Sequence, residues 1–181
     1  MSVTSKRLLA IQDLAARLAF ITMANGFSSD AGLNIYLGRL PKLGPDDPPA
    51  ALAVFLDADQ PPDGGTYTTG GTVRSRVPIV VHALARVASN QSPLVVFEGL
   101  IADIKQAAEI EGNDPNHPES LAGAWVQRYL GVVAGSPPSP VTLAKGFERG
   151  ETRVHFAEGG SEITGASVEY LMFLEEQWGR P

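Results

Sequence analysis

The sequence predicts an α+β fold: a single domain with a mostly antiparallel mixed sheet and helices packed on one face. Three observations support this prediction. The 181 residues are about the length of one domain. A composition of 44% hydrophobic and 19% charged residues is ordinary for a globular protein with a core. The predicted strands and helices occur in blocks rather than in alternation, which favours an antiparallel sheet covered by helices.

The first predicted element is a helix. Apolar residues recur at spacings of three and four between Leu8 and Ile21, as they do along the buried stripe of an amphipathic helix. Thr4 or Ser5 can cap its first turn, and Gly26 is placed to end it in a left-handed conformation. We therefore expect one helix near the start of the chain that packs on a sheet or on a partner.

Three predicted strands follow. Apolar residues alternate over 33–40 and again over 73–87, whereas 50–56 is a continuous apolar run that is typical of a buried strand. Pro78 has no backbone N–H, so it predicts an edge or a bulge at that point of the third strand. Residues 57–72 form a predicted loop whose length favours a functional role.

Two helices are predicted in the second half. Ser92 supplies a capping hydroxyl and Pro93 a first-turn proline for a helix that runs to residue 109. The polar side of that helix, which includes Asp103, is expected to face water. A second amphipathic stretch follows within residues 113–140, which we treat as an extra helical and loop segment of one domain spanning 1–181.

The remaining strands are predicted towards the end of the chain. Residues 141–147 and 153–156 form a predicted hairpin that turns at 148–151, where charged residues surround a glycine. The last strand is predicted over 167–174 because two side-chain sets alternate along it. These strands complete the expected sheet.

Composition and charge exclude several classes of protein. The chain has no cysteine, which excludes a disulfide scaffold, a thiolate metal site and a cysteine nucleophile. No apolar run reaches the roughly 18 residues of a membrane span, so no membrane partner is expected. Net charge is −6, and the surplus of acid lies in residues 91–181, which hold 6 Lys and Arg against 13 Asp and Glu. Such a chain should not coat DNA, although it can line a conduit through which DNA passes. From charge alone, an acidic surface that keeps the protein soluble is the favoured interpretation.

Asp57 and Asp59 are the strongest enzyme-like signal. Two carboxylates two residues apart at the end of an apolar strand can hold Mg²⁺ or act as nucleophile and acid, as in haloacid-dehalogenase-type phosphatases. That pattern also needs a hydroxyl residue two positions after the second Asp, where this chain has Pro61. Asp residues ahead of a Pro- and Gly-rich stretch are also common turn formers, and this interpretation is favoured.

Other patterns associated with catalysis or cofactors are weak. His82, His117 and His155 are too far apart in sequence for a known metal spacing. His82 and His155 lie in predicted strands, so partly buried or interfacial roles are favoured for these two. Gly64-Gly65 and Gly70-Gly71 lack the Gly-Lys-Ser/Thr sequence of a phosphate loop. We expect no metal site, no catalytic site and no cofactor.

Candidate interface residues come from charge and loops. The charged stretch at 148–153 alternates in sign, which suits a subunit contact in which opposite charges face each other. A solvent-exposed hairpin tip is the equal alternative. Two arginines on one face of the long third strand can reach a neighbouring chain or pair with acidic residues on the adjacent strand. The candidates for a subunit or partner interface are Tyr67, Arg74, Arg76, Arg149, Glu151 and Arg153. The candidates for an acidic ring around a lumen are Glu175 and Glu176, although from the residues alone a solvated end of the last strand is favoured for this pair.

The whole layout resembles the tail terminator proteins (minor tail protein U-like, or tail completion proteins) of long-tailed bacteriophages. The resemblance rests on an N-terminal helix, a long strand like 73–81, a helix like 93–109 and a closing alternating strand like 166–173. It covers most of residues 5–176 and is a likeness of pattern, without a diagnostic motif. Segment 113–140 departs from the family pattern.

The resemblance implies a structural, non-enzymatic protein of the virion neck, made in the host cytoplasm. Members of this family form a ring, commonly of six subunits, that caps the tail tube, stops its polymerisation and joins the tail to the head connector. The implied partners are other copies of the chain, the tail tube protein, the head connector or stopper protein, and genomic DNA that passes through the lumen. A head-completion or stopper connector protein is the first alternative, and a small Mg²⁺-dependent hydrolase using Asp57 and Asp59 is the second.

Overall fold

A computed structural model defines the fold. It describes residues 6–41, 43–44, 46–57, 67–68, 72–109, 127–129, 140–142, 146–155 and 163–177. Within these residues the chain forms a six-stranded mixed sheet, a separate pair of short strands and two α-helices. The predicted α+β class is confirmed.

The elements follow one another in a simple order. Helix α1 spans Lys6–Leu18, and two short 3-10 turns follow at Met23–Asn25 and Ala31–Leu33. The next strands are β1 (Ile35–Leu37), β2 (Ala50–Leu56), β3 (Tyr67–Thr68) and β4 (Thr72–Arg86). After helix α2 (Pro93–Glu109) come β5 (Gln127–Tyr129), β6 (Pro140–Thr142), β7 (Gly146–His155) and β8 (Ile163–Gln177).

The centre of the sheet is the pair formed by β4 and β8. The strand order is β1-β2-β4-β8-β7, and β3 pairs with β4 beyond the end of β2. Strands β4 and β8 are antiparallel along their full fifteen residues, from Thr72 opposite Gln177 to Arg86 opposite Ile163. Only β1 is parallel to its neighbour among the described pairs. The two edges of this order are therefore β1 and β7.

The core lies between one face of this sheet and the two helices. Alternate residues of β4 and β8 are buried on that face, as the two-residue period of a strand requires. They meet the apolar stripes of α1 and α2 in one cluster, whose bulkiest members include Ile79, Tyr170, Met172, Leu14, Leu18, Phe97 and Ile104. The face turned away from the helices carries Arg76, His82, Ser167 and Glu169; we call it the outer face.

Pro78 lies in a central strand, so the predicted edge or bulge is wrong. The register of β4 with β8 runs without a shift through Pro78 and Leu171. The Pro78 carbonyl accepts a hydrogen bond from the Asp57 N–H at 3.0 Å, just past the last residue of β2. Because the N–H and C=O of one strand residue point to the same side, the missing donor of Pro78 faces the end of β2 rather than β8. The β4–β8 ladder therefore loses no bond.

The chain after α1 is more compact than the sequence predicts. Gly26 does adopt a left-handed conformation, with φ 86°, but it ends the 3-10 turn at Met23–Asn25, and α1 itself ends at Leu18. The Gly32 N–H then bonds to the Ile21 carbonyl at 2.9 Å, and a Cβ on Gly32 would lie 2.7 Å from that oxygen. The predicted strand at 33–40 is reduced to the three residues of β1, between the 3-10 turn at Ala31–Leu33 and the left-handed Gly38, with φ 69°.

Strand β7 replaces the predicted hairpin. Residues 148–151 do not turn; they belong to one strand that pairs with β8 on both sides of a register shift. Gly150 and Glu151 together lie opposite the single residue Glu169, which is a β-bulge. The bulge puts both Phe147 and Val154 at register positions opposite core residues of β8, although seven positions, an odd number, separate them. A charged, Gly-containing stretch here changes the register of a strand rather than reversing the chain.

Two further differences concern helices. Asp103 was expected to face water, but it is buried and accepts hydrogen bonds from the Ser28 N–H, the Ser28 hydroxyl and the Ser29 hydroxyl at 2.8–3.0 Å. It fastens the segment after α1 to the side of α2. Within segment 113–140, residues 127–129 are strand β5, paired with β6, where the spacing predicts a helix. The rest of that segment up to residue 139 lies outside the described residues.

Candidate interface: the outer face and the two edges of the sheet

The outer face carries a cluster of polar side chains from three adjacent strands. His82 on β4 and His155 on β7 flank β8, and their ring centroids are 6.2 Å apart. Nε2 of His155 lies 3.1 Å from Oγ of Ser167. Ser167 is buried on β8, between the strands that carry the two histidines. The His82 ring also contacts Phe55 edge to face, with 5.3 Å between centroids. The small residues Gly165 and Ser167 leave room on β8 for these larger neighbours.

Burial lowers the pKa of His82 below its usual value of 6.5. The nearby His155 lowers this pKa further, because two imidazolium ions repel each other, while the carboxylate of Glu169 opposes the shift. The neutral form of His82 is therefore favoured at neutral pH. This agrees with the prediction of a partly buried histidine.

Among the described residues, no group of three or more His, Asp or Glu side chains is arranged to hold a metal ion. His117 lies outside the described part of the chain.

The β7 edge brings two predicted interface residues together. The Arg153 guanidinium donates two hydrogen bonds to one carboxylate oxygen of Glu151, at 2.6 and 2.9 Å, and lies 3.7 Å from Glu169. The bond to Glu151 raises the pKa of Arg153 above its usual value. Arg149 is also exposed, but it stands opposite Tyr170, on the other side of the bulge. The alternating charges of 148–153 thus form an ion pair within the strand itself.

The other predicted residues meet at one end of the β4–β8 pair. Arg74 stands directly opposite Glu175, and Val73 stands opposite both Glu176 on β8 and Tyr67 on β3. The side chains of these four predicted residues lie outside the described part. The strand register therefore makes the interface candidates Tyr67 and Arg74 close neighbours of the lumen candidates Glu175 and Glu176. It also opposes Arg74 to an acidic residue of the adjacent strand, which was the alternative to a contact between subunits.

Arg76 is half-buried on the same face of β4. Its guanidinium carbon lies 5.5 Å from the ring centroid of Phe173, which is within the range of a cation–π contact. The arginine therefore covers an aromatic ring of β8, a role that the sequence did not reveal.

The candidate hydrolase residues are only partly described. Asp57 is exposed at the end of β2, its N–H bonds to Pro78, and its carbonyl accepts a bond from Arg7 at 2.7 Å. Asp59 lies outside the described residues. What the structure describes at Asp57 is a backbone role in closing the end of the sheet.

The β1 edge is the surface that sequence reasoning missed. Seven large apolar side chains are exposed in the described part of the chain, and four of them belong to residues 23–40. These are Met23, Leu33, Leu37 and Leu40, which are 45–68% exposed. The sequence showed these three leucines within a predicted strand, but alternation does not reveal whether the faces of a strand are covered. Arg39, the charged residue beside them, stacks on the ring of Tyr36 at 5.3 Å.

No protein-family model and no curated protein matches the chain. Neither described helix has the length and apolar character needed to cross a bilayer.

Proposed function

We propose that the protein is a tail terminator of a long-tailed bacteriophage. By the resemblance of its elements, it assembles as a ring, commonly of six copies, in the neck of the virion. The ring caps the tail tube, stops its polymerisation and joins the tail to the head connector. DNA passes through the lumen without sequence-specific binding. The role is structural and needs no cofactor.

The observation that carries this proposal is the order and pairing of the elements. The resemblance depends on an N-terminal helix, a long strand, a helix and a closing strand. These are α1, β4, α2 and β8, and the long strand pairs with the closing strand over fifteen residues at the centre of one sheet. Both helices contribute to one core with these strands. The fold is thus the single α+β domain that the family implies.

The charge distribution supports the same function. The second half of the chain has a net charge of −7, from 6 basic and 13 acidic residues, although the first half is nearly neutral. Acidic groups around a channel repel the phosphate backbone and let DNA move without sticking. Glu175 and Glu176, in the last three residues of β8, stay our candidates for the lumen.

The experiment is to measure the size of the purified protein by light scattering and to image it by negative stain, alone and with purified tail tubes. We expect rings, and rings at the ends of tubes. Tubes mixed with bovine serum albumin serve as the control for nonspecific attachment. A protein that stays monomeric and leaves tube ends bare would contradict the proposal.

The same preparation distinguishes the alternatives. Binding to portal or connector rings, with tubes ignored, would identify a head-completion or stopper protein. Mg²⁺-dependent phosphatase activity that disappears in Asp57→Asn would identify a hydrolase. Equal inactivity of the wild type and Asp57→Asn, together with capped tubes, would exclude the hydrolase.

A further inference from the structure

We propose that two copies of this chain associate through their β7 edges, which pair antiparallel about a two-fold axis between Gly150 and Glu151. The sheets of the two copies then form one continuous sheet. This inference goes beyond the proposed function, because a two-fold contact closes a pair of copies and is a different contact from the one that builds a ring.

Strand β7 is open along its outer side. It is the last strand of the sheet order, and among the described strands it pairs with β8 alone. All six residues from 148 to 153 are exposed, whereas the described side chains of β4 and β8 are buried or half-buried. An edge strand in this state presents N–H and C=O groups that another strand can bind.

The bulge decides which β7 residues can face each other in such a pair. Facing residues of two antiparallel strands both turn their backbone groups towards the partner or both turn them away. In a regular strand, this condition restricts facing residues of a two-fold pair to positions an even number apart. Glu148 and Arg153 are five positions apart, but their partners on β8, at 171 and 167, are four apart because the bulge adds a residue to β7. Glu148 and Arg153 therefore share one backbone orientation and lie on the same face, the outer face.

The register that this allows overlaps the two strands along their whole length. Strand β7 has ten residues, Gly146–His155, and the bulge residues Gly150 and Glu151 are at its middle. Gly146 of one copy lies opposite His155 of the other when the axis passes through the bulge. A strand without a bulge matches this edge on one side of Gly150 only. The strand that fits the whole edge is the same strand of a second copy.

The charges are complementary in this register. Glu148 of each copy lies opposite Arg153 of the other, so two Glu–Arg pairs form across the axis. Glu148 is exposed and has no ion-pair partner among the described residues. Arg153 donates to Glu151 from Nε and Nη2, and a guanidinium has further N–H groups for a second carboxylate. Opposite charges that face each other across two strands stabilise the pair, and like charges destabilise it.

The same features exclude other partners. Charged side chains and bulges on an edge oppose the addition of unrelated strands. Two acidic and two basic residues alternate in sign between positions 148 and 153. A strand with charges of one sign would also repel its own copy, whereas this alternation permits a second β7 strand. The edge therefore selects one occupant by rejecting the rest.

The first test reverses one charge in each of two variants, Glu148→Arg and Arg153→Glu. Each variant alone places like charges opposite each other twice in the pair, so we expect self-association to weaken by about tenfold or more. In an equimolar mixture the facing positions again carry opposite charges, and association should return to that of the wild type. Light scattering over a range of concentrations provides the measurement.

Arg149→Glu is the matched control for these variants. It reverses a charge on the same strand at an exposed position, but one that lies opposite the uncharged Thr152 of the other copy. Its self-association should therefore equal that of the wild type. Failure of the mixture to recover, equal association of all the variants, or a wild type that is monomeric at every concentration would overturn the inference.

A second test measures the register directly. The chain contains no cysteine, so Arg149→Cys and Thr152→Cys each provide one thiol. Mixed and treated with oxidised glutathione, these two variants should form a disulfide between chains, because their positions face each other. Each variant alone should cross-link at least about tenfold more slowly, since its two thiols are separated by three strand positions, roughly 10 Å. Equal cross-linking with and without mixing would overturn the inference.

These results separate the inference from the proposed function. Rings at tube ends without the disulfide between positions 149 and 152 would overturn the inference and leave the terminator function standing. Pairs with this disulfide that form no ring and leave tube ends bare would support the β7 contact and contradict the terminator function.

Discussion

The two faces of the central strands differ, although both faces are built from alternate residues of the same two strands, β4 and β8. On the helix side, Val77, Ile79 and Tyr170 are fully buried, and their shapes must fit α1 and α2. On the outer face, Arg76, His82 and Glu169 are half-buried and contact aromatic or charged neighbours. The comparison teaches that one face fixes the fold and the other is available for polar chemistry and contacts. Three predictions test this division.

The largest expected effect comes from two aromatic residues of β8 that lie three positions apart, on opposite faces of the sheet. Tyr170→Ala removes one of the bulkiest buried side chains and should lower the free energy of unfolding by about 3–5 kcal/mol. Phe173→Ala, on the outer face, should cost less because Phe173 is only partly buried. Urea unfolding of both variants provides the measurement. Equal losses would show that the outer face is as tightly packed as the core.

A polar group on the helix side gives the next largest effect. Asp103→Ala removes the acceptor of three hydrogen bonds from Ser28 and Ser29, and should cost about 2–3 kcal/mol because the donors stay partly buried. Glu98→Ala, an exposed position on the same helix, is the matched control and should change stability by less than about 0.5 kcal/mol. If Asp103→Ala lowers the free energy of unfolding no more than Glu98→Ala does, the hydrogen bonds from Ser28 and Ser29 to Asp103 do not stabilise the fold.

The smallest effect concerns pH and the outer face. The pKa of His82 is lowered in the folded protein, so the unfolded chain binds a proton more readily than the folded one. The stability contributed by neutral His82 is complete above pH 6.5, the usual value, and is lost as the pH falls through that value towards the folded pKa. One such group changes stability by at most about 1.4 kcal/mol per pH unit.

The measurement compares wild type with His82→Gln by urea unfolding between pH 5 and 8. We expect the wild type to lose more stability on acidification than the variant, whose position 82 does not titrate. Parallel pH curves would show that His82 binds a proton as readily in the folded protein as in the unfolded chain, so that neither burial nor His155 lowers its pKa. His155→Gln should give an intermediate result, because it removes the repulsion but not the burial.

The sequence predicted the elements whose own pattern was decisive. Strand β2, helix α2 and the alternation in β4 and β8 lie within a residue or a few residues of the prediction, because long apolar periodicity leaves few alternatives. The predictions were wrong where contacts between distant parts of the chain determine the environment of a residue. Asp103 resembles a solvated helix residue until Ser28 is brought to it from 75 positions away. Likewise Pro78 is acceptable in a central strand only because β2 ends beside it.

The candidate interface was predictable only where its parts are close in sequence. Glu151 and Arg153 are two residues apart, so the ion pair between them needs no tertiary contact, although a contact between subunits was predicted at this stretch. The opposition of Arg74 and Glu175 depends on the β4–β8 register, which joins positions about a hundred residues apart and has no local signal. The β1 edge was missed because exposure depends on which strand is last in a sheet. A single sequence does not state that order.

The position of β8 has a consequence for how the protein folds. Ile79 and Tyr170 are neighbours in the sheet but 91 residues apart in the chain. Closing such a loop costs entropy before any contact rewards it, and domains rich in distant pairings fold in milliseconds to seconds rather than microseconds. Until β8 pairs with β4, the edge of β4 opposite β2 has no partner among the described strands and is open to other chains. The yield of native protein should therefore depend on the speed with which this last strand docks.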